Sequence, residues 1–335
     1  MLEEEKIEKL KKIFKQSLNE CDKSNNPDEI IHNTLLELLS FYPTFEPKPI
    51  DAILNAISED IEKTKGIFTG FEKLDNYISG FLPGELIVIA SRPAIGKSTF
   101  ILNIIENIMQ HFDKKTPVLL FSPELKKEQI IFRLLALKSG IENFKFRNPQ
   151  QLLNSEKAKI SQVSQEIEKY PLFIDDTPGI SINEILIKTI EYVKKHKVKI
   201  VFIDFFQLIY APITLKYRRM DFISFSLKKL AKFCNIPIVV LSQVSQTKKI
   251  AESVSNLELR DSGALRYDAD IIIFLYQDEE NISEIESFSG VPIEVEIAKN
   301  RNGQTGKFTL IFVREFMKFE DPESKNTLSS NKEVC

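Results

Sequence analysis

The chain has 335 residues, 43% of them hydrophobic and 28% charged, which is enough for one large α/β domain with an appendage or for two modest domains. Its net charge of −3 excludes a surface that is basic all over and binds nucleic acid everywhere, so any DNA-binding site must be local. A protein that never binds DNA could have the same net charge. Three scattered cysteines exclude a disulfide framework, and the lack of an apolar run of roughly 18 residues predicts a cytoplasmic protein with no membrane partner.

Residues 1–45 alternate charged and apolar positions at helical spacing, which predicts a short helical extension made of two helices. Prolines at positions 43, 47 and 49 then interrupt the pattern, and an amphipathic helix over residues 50–61 follows them. We therefore predict a linker and a linker helix over residues 46–65. An apolar stripe does not say whose surface it covers, so this helix is compatible with packing within the chain or on another subunit.

From residue 66 the pattern changes to short apolar runs separated by helical segments, which is typical of parallel strands with crossover helices. Seven strands are predicted, with the sequences ELIVIA, PVLLFS, PLFID, KIVFIDF, IPIVVLS, DIIIFLY and PIEVEIA. Most are apolar throughout, so helices should cover both faces of the sheet. The predicted fold class is α/β, with a mostly parallel sheet in a domain over residues 66–320, and residues 321–335 are predicted to be a flexible tail.

A candidate phosphate-binding loop lies between the first predicted strand and the helical run FILNIIENIMQ. Its sequence is SRPAIGKST, and its predicted nucleotide-binding residues are Ser91, Arg92, Pro93, Ala94, Ile95, Gly96, Lys97, Ser98 and Thr99. Backbone N–H groups at the start of the helix attract phosphate, and Gly96 lets the backbone come close. Lys97 supplies a charge to the β- and γ-phosphates, and the Ser98 hydroxyl can ligate Mg²⁺. Ser91 departs from the strict motif, in which a glycine stands at that position.

Three of the following strands end in polar groups suited to ATP hydrolysis, which needs a carboxylate that organises Mg²⁺ and a base for the attacking water. Asp204 is the last residue of KIVFID and is the predicted metal ligand. Glu124 follows PVLLFSP and is expected near the γ-phosphate, and Gln243 is the last residue of IPIVVLSQ, from which it can sense that phosphate. Each alone is compatible with an ordinary polar strand end, but their joint occurrence favours a catalytic site. Asp175 and Asp176 also end a strand, and we predict that they are a capping or turn pair before the helix that begins near Ser181.

A series of ordered blocks resembles the ATPase domain of DnaB-type replicative helicases, a branch of the RecA-like fold, from about residue 50 to about residue 320. The blocks are the segment from GIFTG to GKST, then FSPEL, PLFIDDTPGISINEI, KIVFIDFFQLI, LKKLAKFCNIPIVVLSQVSQ, LRDSGALRYDADIIIFLY and EIAKNRNGQTG. In this family a small residue followed by R-P-x-x-G-K-[ST] replaces the first glycine, which accounts for Ser91. The resemblance implies a RecA-like P-loop NTPase fold that uses ATP and Mg²⁺.

The resemblance also implies roles for single residues. It makes Glu124 the group that activates water, Asp204 the organiser of Mg²⁺ and Gln243 the reporter of the nucleotide state. It further makes Lys299 and Arg301, the K-x-R of AKNRNG, a pair that reaches the ATP held by the adjacent subunit. An arginine supplied in trans neutralises charge that develops on the γ-phosphate. The resemblance therefore implies a homo-oligomer, a hexameric ring, whose isolated subunit hydrolyses ATP poorly.

The resemblance places DNA contacts in the block LRDSG, with Arg260, Asp261 and Gly263 as the DNA-binding residues. Arg260 can pair with phosphate, and a glycine permits close approach of the backbone. Because these residues would contact phosphates and not bases, little sequence preference is expected on single-stranded DNA. The implied function is an ATP-dependent motor that translocates on single-stranded DNA and unwinds duplex during replication, with replication proteins as partners.

The chain departs from the family pattern in three places. Residues 1–45 stand where the family has a separate helical domain that contacts primase, Asp261 replaces a glutamate and Gln246 replaces an arginine. An alternative function is therefore that of a DnaB-like paralogue that binds or hydrolyses ATP as an accessory or regulatory factor without unwinding. A third class, a RecA-like recombination or clock-type ATPase, explains the phosphate loop but not the R-P before it or the paired Lys299 and Arg301.

Overall fold

A computed structural model of the chain describes residues 2–21, 27–41, 49–51, 54, 66–112, 116–211, 216–244, 263–277 and 290–322. Helices α1 (Leu2–Cys21) and α2 (Pro27–Phe41) pack against each other in the segment for which the spacing predicts two helices. Of the predicted linker helix, residues 50, 51 and 54 are helical, and the rest lies outside the described residues, as do residues 323–335 of the predicted tail. Among the described residues, no helix combines the length and the apolar character that a membrane span requires.

The other described helices are α3 (Glu72–Ile78), α4 (Lys97–Asn107), α5 (Lys127–Ser139), α6 (Asn143–Arg147), α7 (Asn154–Ile167), α8 (Ile182–His196), α9 (Lys216–Cys234) and α10 (Gly263–Asp268). The strands are β1 (Leu86–Ser91), β2 (Val118–Phe121), β3 (Leu172–Asp175), β4 (Ile200–Ile203), β5 (Ile238–Gln243), β6 (Ile271–Tyr276), β7 (Val291–Asn300), β8 (Gly306–Val313) and β9 (Lys318–Glu320). Within the described residues these strands form one sheet in the order β3-β2-β4-β5-β1-β6-β7-β8-β9.

The sheet is mostly parallel. The first six strands of this order, from β3 to β6, pair with their neighbours in parallel, whereas β7, β8 and β9 form an antiparallel extension at one edge. The α/β fold class and all seven predicted strands are confirmed. The sequence patterns miss β8 and β9, because β9 has only three residues and β8 begins with a polar stretch, so neither carries a clear period along its whole length.

The sheet separates two hydrophobic cores because successive side chains of a strand point to opposite faces. On one face, Ile87 and Ile89 of β1 belong to the core that contains Phe100 of α4. On the other face, Leu86 and Val88 of β1 belong to the core formed with α8 and α9. Helices therefore cover both faces, as uninterrupted apolar strands predict.

Helix α2 is attached to the α/β domain at His32, whose side chain is fully buried. Its Nδ1 lies 2.5 Å from Oδ1 of Asn183 on α8, and its Nε2 lies 3.3 Å from Oγ of Ser226 on α9. Its ring centroid lies 3.6 Å from that of Phe222. Burial lowers the pKa of His32 to about 4; the hydrogen bond to Asn183 opposes this shift, and the charge of Lys229 adds to it. Helix α2 is thus held through a neutral histidine.

Candidate functional site

The segment between β1 and α4 folds as a phosphate-binding loop. Gly96 has a φ of 106°, a left-handed conformation that favours glycine, and a Cβ at this position would lie 2.9 Å from Cε1 of Phe312. Helix α4 begins directly after it at Lys97, so its first backbone N–H groups have no acceptor within the helix. These N–H groups and the positive end of the helix dipole make the loop an anion-binding site.

The side chain of Lys97 is almost fully buried beside the loop, with 9% of the residue exposed. Its Nζ donates a hydrogen bond to the carbonyl oxygen of Ser91 over 3.3 Å. Burial lowers the pKa of Lys97, while the negative charges of Asp204 and Glu124 raise it. An ammonium group has three donors, so the bond to Ser91 leaves capacity for a bound anion.

The carboxyl group of Asp204 lies directly after β4 and is buried next to the loop. Burial raises the pKa of Asp204 to about 6; a hydrogen bond from Ser98 lowers the pKa, the charge of Glu124 raises it further, and Lys97 lowers it. Its Oδ1 has no hydrogen-bond partner among the described residues. A buried carboxylate oxygen without a partner, beside a hydroxyl, fits Mg²⁺, which takes one or two protein oxygens and fills its other positions with water and phosphate. The described residues contain no cluster of three His, Cys, Asp or Glu that would form an all-protein metal cage.

A cavity of about 340 Å³ opens over the phosphate loop. Its lining residues are Pro93, Ala94, Gly96, Lys97, Ser98, Thr99, Glu124, Arg133, Gln243, Phe312, Arg314 and Met317. The structure therefore brings Glu124 and Gln243 to the same cavity as the loop, as their positions after neighbouring parallel strands predict. The predicted turn residues Asp175 and Asp176 lie elsewhere, and Asp175 accepts a hydrogen bond from the backbone N–H of Thr177 over 3.0 Å.

Arg133 of α5 is a cavity residue that the sequence patterns miss. Burial lowers the pKa of its guanidinium, while the charges of Asp204 and Glu124 raise it. Arg133 therefore places a positive charge near both carboxylates. The only signal in the sequence is its position in the apolar stripe of α5, between the buried residues Ile130 and Leu134, where a charged side chain needs a partner.

Gln207, in the turn after β4, is a second residue that the sequence patterns miss. Its Nε2 donates to the carbonyl oxygen of Gln243 over 3.3 Å and lies 3.1 Å from Oγ of Ser242, and its Oε1 accepts the backbone N–H of Gln243 over 3.3 Å. This amide fixes the backbone of Gln243 at the end of β5. Gln243 itself lines the cavity.

Lys299 and Arg301, at the end of β7, are not among the residues that line this cavity. Nζ of Lys299 donates to the carbonyl oxygens of Arg266 over 2.7 Å and of Tyr267 over 3.3 Å, at the end of α10. Nη2 of Arg301 donates to the carbonyl oxygen of Tyr267 over 2.5 Å, and its Nη1 lies 3.6 Å from a carboxylate oxygen of Asp270. The Arg301 side chain is 48% exposed, so α10 holds the pair at the surface.

Strand β6 determines which end of the sheet this basic pair occupies. Its first residue, Ile271, pairs with Asn300 of β7 and aligns in parallel with Ile87 near the start of β1. The phosphate loop follows the opposite end of β1, and at about 3.3 Å per residue the two ends of that strand are roughly 17 Å apart. The basic pair therefore lies at the far end of the sheet from the cavity of its own chain.

The predicted DNA-binding residues are only partly described. Arg260 and Asp261 lie outside the described residues, as does Gln246. Gly263 is exposed and begins α10, and a Cβ added to it would meet no described atom within 4 Å. The packing of the described residues therefore gives no internal reason for a glycine here.

Several known proteins are similar to this chain. The family "DnaB-like helicase C terminal domain" matches residues 66–321. The "Replicative DNA helicase DnaB" of Pasteurella multocida (strain Pm70) is 36% identical over 290 residues, which cover 82% of this chain and 61% of that protein. One solved structure, described as an ATPase domain, has a TM-score of 0.74 and 32% identity, covering 83% of this chain and 100% of that one. A solved DnaB-like replicative helicase, described with its interactions with primase, has a TM-score of 0.71 and 30% identity, covering 95% of this chain and 77% of that one.

The chain spans about three fifths of the length of the Pasteurella multocida relative. The mostly parallel sheet and its covering helices match the fold of the solved ATPase domain. The family match covers the phosphate loop, the nine described strands and the residues around the cavity, and it implies that the chain binds a nucleotide. On the strength of that match, the chain belongs to the family of DnaB-like helicase C-terminal domains.

Proposed function

We propose that the chain is an ATP-hydrolysing motor that translocates on single-stranded DNA and unwinds duplex DNA during replication. The observation that carries the proposal is the cavity, in which Lys97, Glu124 and Gln243 come from three separate parts of the sheet to the same phosphate loop. A structural role would not need these three groups to meet at an anion-binding loop. The proposed working compartment is the cytoplasm, the location predicted from the sequence.

The phosphate end of ATP binds to the loop. Backbone N–H groups at the start of α4 hold the phosphate oxygens, and Nζ of Lys97 contributes a positive charge. Asp204 and Ser98 would hold Mg²⁺, which supplies charge neutralisation on the phosphates when it is bound. Arg133 lies near the carboxylates and balances their negative charge, so that a further polyanion is tolerated in the site.

Glu124 accepts the proton of the attacking water, because it lines the cavity and follows the strand next to the one that carries Asp204. Gln243 hydrogen-bonds the γ-phosphate or that water through a neutral amide, and Gln207 keeps it in place. The side chain of Gln243 thus distinguishes a triphosphate from a diphosphate, since only the triphosphate provides an acceptor at this position.

Lys299 and Arg301 act on the ATP of a neighbouring subunit. The support for this proposal is the position of the pair, with Arg301 exposed, at the end of the sheet that lies opposite the loop of their own chain. A second copy can present its phosphate loop to them in a head-to-tail arrangement, which forms a ring when the rotation between copies closes. We propose a hexameric ring for this homo-oligomer. An isolated subunit then lacks the charge that stabilises the transition state and hydrolyses ATP slowly.

Single-stranded DNA is the proposed ligand of the segment that contains Arg260, Asp261 and Gly263. Its support is that Gly263 has space for a side chain among the described residues and yet is glycine, which suits close approach by an external backbone. Replication proteins are proposed partners, because one solved relative is described with its interactions with primase.

The motor is tested by measuring the rate of ATP hydrolysis with and without single-stranded DNA, together with sedimentation in the presence of a nucleotide analogue. We expect stimulation by DNA and a six-fold particle. In Glu124→Gln, nucleotide binding should persist while turnover falls by about a hundredfold or more. Glu128→Gln is the matched control, because it makes the same charge change at an exposed position four residues further on.

Two results separate the proposal from its alternative. Turnover by a monomer or dimer that does not respond to DNA would refute the motor and indicate an accessory ATPase. Equal turnover in Glu124→Gln and Glu128→Gln would remove Glu124 from the catalytic role, whatever the oligomeric state.

A further inference from the structure

Asn103, in the second turn of α4, is a buried polar residue to which the proposed mechanism gives no role; it is 4% exposed. Its Nδ2 donates hydrogen bonds to the carbonyl oxygen of Thr99 over 2.8 Å and to that of Met317 over 3.0 Å. Its Oδ1 accepts the backbone N–H of Phe319 over 2.9 Å. One side chain therefore joins the helix of the phosphate loop to the turn between β8 and β9, more than two hundred residues away in sequence.

The turn that Asn103 holds forms part of the cavity wall. Arg314 and Met317 of this turn line the cavity, and Met317 has a left-handed φ of 53°. A non-glycine residue in this conformation is disfavoured, so the turn depends on contacts that fix it. The hydrogen bond that Asn103 donates to the carbonyl oxygen of Met317 and the one that it accepts from the backbone N–H of Phe319 are such contacts.

The aromatic residues on either side of the turn pack against the phosphate loop. The rings of Phe312 and Phe319 are stacked with their centroids 4.5 Å apart. An added Cβ on Gly96 would lie 2.9 Å from Phe312 and 3.3 Å from Phe319. The turn and the loop therefore form two walls of one cavity, and the loop wall is the one with the phosphate-binding groups.

We infer that Asn103 is a positioning residue that holds the β8–β9 turn as the wall for the nucleoside half of the bound nucleotide. This inference rests on the proposed binding of a nucleotide phosphate end at Lys97 and Ser98. The loop binds only the phosphates of a nucleoside triphosphate, so the base and the ribose must lie against another part of the same cavity. Arg314 offers a planar guanidinium and Met317 a polarisable thioether, both of which suit the face of a flat base.

The amide of Asn103 matches this task because it donates and accepts at once. A carbonyl and an N–H two residues apart in the turn need one donor and one acceptor, and an amide supplies both. Leucine has nearly the same volume but has neither a hydrogen-bond donor nor an acceptor. Asn103→Leu therefore removes both hydrogen bonds to the turn and changes no residue of the phosphate loop. Asn107 lies one turn further along α4 and gives a matched control, since its Nδ2 donates to the carbonyl oxygen of Thr69, away from the cavity.

The test compares two ligands on the full-length chain by calorimetry in Mg²⁺ buffer: a slowly hydrolysed ATP analogue and inorganic tripolyphosphate, which lacks the nucleoside. We expect Asn103→Leu to bind the ATP analogue about tenfold more weakly, a loss in the range of one or two hydrogen bonds. Its affinity for tripolyphosphate should stay within about twofold of the wild type. Asn107→Leu should leave the affinities for both ligands unchanged, even if it lowers the melting temperature.

A second variant keeps the test independent of folding. Arg314 is exposed, so Arg314→Ala should fold normally, weaken the ATP analogue selectively and change the ratio of affinities for ATP and GTP analogues. Lys318→Ala is its control, because Lys318 is a neighbouring exposed cation that does not line the cavity. Equal losses for tripolyphosphate and nucleotide in Asn103→Leu, or unchanged nucleotide affinity in Arg314→Ala, would overturn the inference. If the wild type binds neither ligand, the proposed function fails instead.

Discussion

Acidification should detach helix α2 from the α/β domain, because His32 is buried there without a charge. The ordinary pKa of a histidine is 6.5, and burial lowers the pKa of His32 to about 4. As the pH falls below about 6.5, His32 is protonated in the unfolded chain but stays neutral in the folded chain, so the free energy of unfolding decreases. The decrease continues to about pH 4, where the folded state is protonated as well. At roughly 1.4 kcal/mol per pH unit, the total loss is about 3–4 kcal/mol at most.

The assay is urea denaturation of the full-length chain over this pH range, in wild type and in His32→Leu. The variant loses the contacts with Asn183 and Ser226 and is less stable at neutral pH, but its stability should fall less steeply with acidification. In the difference between the free energies of unfolding of the two proteins at each pH, the contributions of the titrating groups that they share cancel. Ile30→Val is the control, because Ile30 is a buried residue of α2 that has no titrating group, so its replacement should lower the stability and leave the pH slope unchanged.

Hydrogen exchange on the amides of residues 27–41 tells local opening from global unfolding. If α2 detaches alone, protection should be lost in that helix while β1 and β5 keep theirs. The reasoning is refuted if wild type and His32→Leu lose stability in parallel between about pH 6.5 and pH 4, because His32 would then titrate normally in the folded state.

Three further predictions concern the cavity. Gly96→Ala should lose nucleotide binding and about 1–3 kcal/mol of stability, because a Cβ strains a left-handed residue and collides with Phe312; calorimetry and urea denaturation check this. Arg133→Met should lower the kcat for ATP by tenfold or more with the fold retained, and an unchanged kcat would remove Arg133 from the site. Arg301→Ala should bind ATP but not turn it over, and mixing it with Lys97→Ala subunits should restore part of the activity. Mixed rings without activity would contradict action in trans.

Much of the cavity was predictable from the sequence because its parts are local. The phosphate loop is contiguous, from Ser91 to Thr99, and it stands between an apolar strand and a helix. Glu124, Asp204 and Gln243 are separated in sequence, but parallel strands bring their carboxyl ends to one edge of the sheet, so three strand ends predict one site. Apolar runs of strand length also sufficed for the seven strands and the fold class.

Other groups acquired their roles only in the tertiary structure. Asn103 lies on a helix whose sequence pattern does not show which polar residue turns inward, and the place of Arg133 in an apolar stripe does not show which partner it meets. Arg314 reaches the cavity only because β8 and β9 fold back over α4. His32 is buried only because α2 packs on α8 and α9. The sequence alone determined seven of the nine described strands, the loop and the polar ends of the parallel strands, since periodicity and contiguity are local properties. The opposite wall of the cavity, the position of Lys299 and Arg301 and the attachment of α2 depended on contacts between distant segments, which no local pattern encodes.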